Sequence, residues 1–177
     1  MNNPNPNTPT LLDLKLTRAV EADPRHEAIK TVLGKDRKPL WEKSTLLVPH
    51  IPLTPSLESC LKNLLNRKQV ERGLEHIDQI LHNEHKGLLA LQQKQGTPPS
   101  HRVSRLVIVA NDGSERFYRV CEKTLLKNKD RVLFLFVDEP STRLTRSLMG
   151  ETDKILKVLL ISDRDAVSTV LFSLVAE

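Results

Sequence analysis

Hydrophobic and polar positions change period along this chain, and the changes divide it. Two runs in its C-terminal part are apolar without interruption, Leu106 to Ala110 and Val132 to Val137, and a third, Leu156 to Ile161, is broken only by Lys157 near its start. A strand that does not alternate with polar residues is buried on both faces, so these runs predict central strands. Each is followed by a residue of the helix-starting kind and then by apolar positions at helical spacing. Ser114 opens a predicted helix to about Leu126, Pro140 and Ser141 open one that stops at Gly150, and Asp163 opens one to about Val175. Strands alternating with helices are joined by crossovers. The expected fold class is therefore α/β, a three-layer α/β/α sandwich with a mostly parallel central sheet.

Two more helices precede the first of these strands. Thr54 followed by Pro55 is a cap with proline at the first helical position, and Leu57, Cys60, Leu61, Leu64 and Leu65 then share one face. After Arg72 and Gly73, the spacing of Leu74, Ile77, Ile80 and Leu81 predicts a helix extending toward His85. The following stretch, about residues 86–102, contains GTPPS and predicts an inserted surface loop.

Upstream the pattern loosens. Residues 1–10 are almost wholly Asn, Pro and Thr, a composition that predicts a disordered tail. Residues 11–54 are mixed, and the three prolines of STLLVPHIPLTP argue against a central strand there. The expectation is an extended arm on the surface of a domain spanning 55–177, with Trp41 anchoring the arm either against its own chain, the simpler use of so large a side chain, or against a partner subunit.

Composition narrows the partners. The chain has 177 residues, with 27 Lys and Arg against 22 Asp and Glu, so one basic domain with appendages is expected and an acidic partner suits it. Aromatic residues make up only 3%, too few for a platform that stacks single-stranded bases. Cys60 and Cys121 have no Cys or His neighbours at metal-ligand spacing and read as buried hydrophobes of a reducing compartment. No run nears the roughly 20 apolar residues of a membrane span, and no leader pattern is present, so a soluble intracellular protein without a membrane partner is expected.

Candidate chemistry gathers at the strand ends. Asp112, Asp138, Glu139 and Asp163 follow the three apolar runs, where an open parallel sheet binds its ligands. Such carboxylates could hold Mg²⁺ for phosphoryl transfer or RNA cleavage. The simpler account is that each starts the helix behind it, accepting amide protons and complementing the helix dipole. No phosphate-cradling glycine loop, dinucleotide fingerprint or nucleophile elbow occurs. His82 and His85 sit three apart without a completing ligand, so no metal or other cofactor is expected.

RGLEHIDQ, followed by LVIVAND and then by a helix containing Cys121, resembles the L-seven-Ae and L-thirty-e class of kink-turn RNA-binding ribosomal proteins over roughly Pro55 to the C-terminus. In that class an Arg-Gly-x-Asn-Glu-x-x-Lys motif starts the second helix. Here Arg72 and Gly73 stand in register, Glu75 replaces the Asn, His76 the Glu and Gln79 the Lys. The class's second RNA-contacting loop corresponds to Gly150 through Lys154. The degenerate motif, the insertion and the long N-terminal arm are similar to divergent fungal members of the class in nuclear RNase P and RNase MRP. The resemblance implies a non-catalytic nuclear or nucleolar subunit that holds structured RNA and neighbouring protein subunits while precursor tRNA and rRNA are processed. The implied RNA contacts are Arg72, Gly73, Glu75, His76, Gln79, Gly150 and Lys154. An acidic Glu75 repels phosphate but accepts a hydrogen bond from a base amine, so little base specificity is expected.

Overall fold

Four helices begin at side chains that accept a proton from their first turn. Thr17 accepts from the Val20 amide, Thr54 from Leu57, Ser114 from Phe117 and Asp163 from Ala166. A computed structural model describes residues 15–97 and 100–176; the expected tail, residues 1–10, lies outside them. In chain order the elements are α1 (Arg18–Glu21), α2 (His26–Lys35), β1 (Arg37–Pro39), β2 (Leu47–Ile51), α3 (Pro55–Asn66), β3 (Val70–Arg72), α4 (Leu74–Gln95), β4 (Arg105–Val109), α5 (Glu115–Lys127), β5 (Val132–Val137), α6 (Ser141–Met149), β6 (Val158–Ile161) and α7 (Arg164–Ser173).

The strands form one six-stranded sheet in the order β1-β2-β5-β4-β6-β3. Successive side chains on a strand point to opposite faces, and both faces are apolar. Leu106 and Ile108 of β4, Leu133 and Leu135 of β5, and Leu159 and Ile161 of β6 pack with α1, α2, α3, α6 and α7. Val107 and Val109, Phe134 and Phe136, and Val158 and Leu160 pack with α4, α5 and the β1–β2 turn. The result is a mixed α/β structure in three layers, helices on both sides of the sheet. Cys121 lies wholly within the second layer, where burial pushes its thiol up to about 12; Cys60 is only half buried.

The direction of the strands departs from expectation. Only β2 with β5 and β4 with β5 are parallel; β1 with β2, β4 with β6 and β3 with β6 are antiparallel. A mostly parallel sheet therefore does not form. The apolar run of β6 buries equally well in either direction, and the loop of residues 150–157 brings it in reversed.

Residues 15–54 also differ from an extended surface arm. They contribute two helices and two strands, and Leu16, Val20, Ile29, Leu33 and Ile51 join the core of the first layer. β2 lies between β1 and β5 despite Pro49. His50 donates its amide proton to Asp36 O on the β1 side (2.8 Å), so the nitrogen of Pro49 turns toward β5, where the register begins only at His50. No ladder bond is lost. Trp41 does pack against its own chain: its indole Nε1 donates to Glu122 Oε2 at 2.9 Å, and the Arg119 guanidinium lies 4.6 Å over its ring.

Most of the expected loop at 86–102 is helix. α4 continues to Gln95 and stops at Gly96, whose φ of 61° is left-handed. Glu84 on α4 receives Arg131 Nη1 at 2.6 Å and Arg105 Nε at 3.1 Å, fixing the helix to the starts of β4 and β5. Among the described residues no helix is long and apolar enough to cross a membrane.

Candidate nucleic-acid interface

Strands β2, β3, β4 and β5 all end at one rim of the sheet, and β6 begins there. Ile51 pairs with Val137, Val109 with Val158, and Arg72 with Leu159. Four helices consequently start at this rim: α3, α4, α5 and α6. Three have side-chain caps. Thr54 and Ser114 serve α3 and α5, and α6 is capped from another loop, since Asp112 accepts the Ser141 amide (2.9 Å) and hydroxyl (2.7 Å) on its two oxygens. Burial pushes the Asp112 carboxyl up, but the hydrogen bonds from Ser141 and the charge of Lys157 outweigh that and hold it below the usual carboxylate range. α4 has no side-chain cap.

The N-cap of α4 is Gly73, at φ 89° and ψ 127°. A Cβ there would meet no atom within 4 Å, so glycine answers to the backbone angle alone. Gly73 does not close the preceding helix, because α3 ends earlier, at Asn66. Its amide bonds close at Lys68 and Gln69, which donate to Leu65 and Leu64 carbonyls, with Lys68 itself left-handed at φ 57°.

Around Gly73 the implied contact residues are all exposed. Glu75 and His76 lie in the first turn of α4, and Gln79 lies one turn later on the same side. His76 Nε2 reaches Glu71 Oε2 on β3 at 2.9 Å, which draws the ring back toward the strand. Arg72 Nη1 meets Met149 Sδ at 3.5 Å, so the β3–α4 junction abuts the end of α6 and Gly150. Gly150 takes φ 74° as it closes α6, and the loop runs through exposed Lys154 to Lys157, whose carbonyl accepts from the Ala110 amide at 2.9 Å. The two implied RNA-contacting segments are thus neighbours on one rim.

Their charge is more mixed than the sequence suggests. Arg143 pairs with Glu139 at 3.4 Å and Arg146 with Glu151 at 3.3 Å, whereas Arg72, Lys154 and Lys157 make no ion pair among the described residues.

The three strand-end aspartates do not converge. Asp138 accepts from Asn111 Nδ2 at 3.1 Å and stands with Asp112 at the rim just described. Asp163 follows β6, which runs the other way, and Ile161 pairs with Leu106 and Val70 at the opposite ends of those strands. A site built from Asp112, Asp138 and Asp163 together is therefore excluded by the reversal of β6. No group of three His, Cys, Asp or Glu side chains is arranged to hold a metal among the described residues. The abrupt Asn111-Asp112-Gly113 turn has a packing cause: the Tyr118 hydroxyl donates to the Ala110 carbonyl and accepts the Gly113 amide, and a Cβ on Gly113 would come within 2.5 Å of Phe117 Cδ1.

Sequence reasoning missed the cross-loop cap by Asp112 and the contact of Arg72 with Met149. Both join residues far apart in the chain, and no local spacing announces them.

No protein-family model matches the chain, and no curated protein matches it. Among solved structures the chain is similar to a protein of unknown function from Bacillus halodurans C, at 16% identity and a TM-score of 0.45, over 67% of this chain and 95% of that one.

Proposed function

We propose that the chain is a non-catalytic RNA-binding subunit of a ribonucleoprotein, of the kind of the Pop-three subunit of nuclear RNase P and RNase MRP within the L-seven-Ae and L-thirty-e class. The observation that carries the reading is the junction at Gly73. A 22-residue helix starts at the sheet edge with exposed first-turn residues and no capping side chain, beside a cationic residue that touches the end of α6. Unpaired amides at a helix start attract phosphate, and Arg72, Lys154 and Lys157 add charge that no ion pair among the described residues neutralises. The order of elements from α3 to α7, with the degenerate motif at the start of α4, is also what the resemblance requires.

Its work is positioning. Phosphate contacts hold an RNA arm, while Glu75 and Gln79 offer an acceptor and an amide to base edges. The subunit acts in the nucleus or nucleolus beside other protein subunits, and the RNA performs the cleavage.

Filter binding to an RNase P RNA arm across a salt series tests this. Replacing Arg72, Gln79 and Lys154 together by Ala should weaken binding and flatten the dependence of log K on log salt by about 1.5, since each lost phosphate contact removes about 0.7–0.9. Undiminished binding sinks the proposed surface.

A further inference from the structure

The opposite rim carries a pocket of about 450 Å³. It is walled by the outer turns of α4, the chain leading into β4, the end of α5 and the starts of α1 and α7. Two unlike surfaces meet in it. Leu88 and Leu89, 39% and 45% exposed, form an apolar side on the part of α4 that runs past the sheet. Arg18, Arg102, Lys127 and Arg164 form a cationic side. Arg102 is held by donating to the Leu16 carbonyl at 2.8 Å. Arg18, Lys127 and Arg164 make no ion pair among the described residues. Of the two acids that line the pocket, Asp130 already faces His101 at 3.3 Å.

We propose that this pocket docks an acidic amphipathic segment of a protein partner. The argument is complementarity on both sides at once. A helix or strand bearing Glu or Asp beside large apolar residues covers the two leucines and gives its carboxylates to arginines that have planar forks free for them. RNA fits less well. Its phosphates satisfy the cations but leave Leu88 and Leu89 in water, and the pocket lining offers no Phe, Tyr or Trp on which a base could stack. The site shares no residue with the proposed RNA edge and stands independently of it.

Fluorescence anisotropy of a labelled peptide of about 14 residues, with Leu and Glu at helical spacing, tests the proposal on the full chain. Saturable binding is expected, weakened at least tenfold by Arg18→Glu with Arg164→Glu, and separately by Leu88→Ser with Leu89→Ser. Helical content by circular dichroism should stay unchanged in both pairs, since all four side chains lie at or near the surface. The triple Ala variant of the RNA edge should bind the peptide as the natural chain does, so the two readings fail separately. Absence of peptide binding, or binding insensitive to either pair, overturns the proposal. So does a loss of RNA binding in the arginine pair with no peptide binding at all, which assigns the pocket to nucleic acid.

Discussion

Lys68 holds a conformation that suits another residue. It is the non-glycine with positive φ among the described residues, and it sits where α3 closes with amide bonds from residues 68 and 69 back to Leu65 and Leu64. In that left-handed position a Cβ crowds the following carbonyl, at a cost of about 1–2 kcal/mol, partly offset because lysine loses less backbone entropy than glycine on folding. Lys68→Gly should therefore stabilise the fold by about 0.5–1 kcal/mol, raising Tm by roughly 1–4 °C. Urea melting with an unchanged m-value measures it, and a loss of stability contradicts the account of this cap. Gly73 has the reverse constraint, since any side chain at φ 89° is strained even though the space is open. Glycine at residue 73 was legible from sequence, while the glycine-like angle at Lys68 was not. An ordinary lysine between Arg67 and Gln69 carries no local sign of its backbone angle.

Elements with uniform burial were the readable ones. The runs around β4 and β5 and the caps Thr54, Ser114 and Asp163 announce themselves because their chemistry is local. α4 was read short since its outer turns leave the core, and exposed Leu88, Leu89 and Leu91 do not follow the apolar spacing that marks a packed helix. β2 was missed because Pro49 disqualifies a strand only if its nitrogen faces a partner's carbonyl, and that depends on register. The same strand carries His50, stacked on Phe136 with ring centroids 3.9 Å apart, its Nε2 buried without a partner among the described residues. Burial, aided by the charge of Lys38 and opposed by Asp36 and Asp138, holds its pKa below the ordinary value. The neutral ring is thus the native form. Its contribution to stability is complete above the unfolded pKa of about 6.5 and is lost as pH falls toward the depressed folded value. Thermal melts between about pH 7 and pH 5 should show Tm declining more in the natural chain than in His50→Phe, which keeps the stack and removes the titration. Parallel declines in the two proteins would remove His50 as the cause.

The reversal of β6 settles what the whole molecule can do with its strand-end acids. Strands advance about 3.3 Å per residue, so the five residues of β4 separate the two rims by roughly 16 Å. Asp112 closes the start of α6 at one rim and Asp163 the start of α7 at the other. If capping is their role, each acts alone. Asp112→Ala and Asp163→Ala should each cost about 1 kcal/mol, and the double variant should cost their sum to within about 0.5 kcal/mol, as distant independent sites do. A bound ion shared by both would couple them, making the second loss smaller than the first. The cycle can be measured by urea unfolding in buffers with and without Mg²⁺. Additivity in both buffers fits a molecule whose acids fix helix starts and whose recognition is left to exposed cations. An Mg²⁺-dependent coupling requires the two rims to meet, which the antiparallel pairing of β4 with β6 forbids.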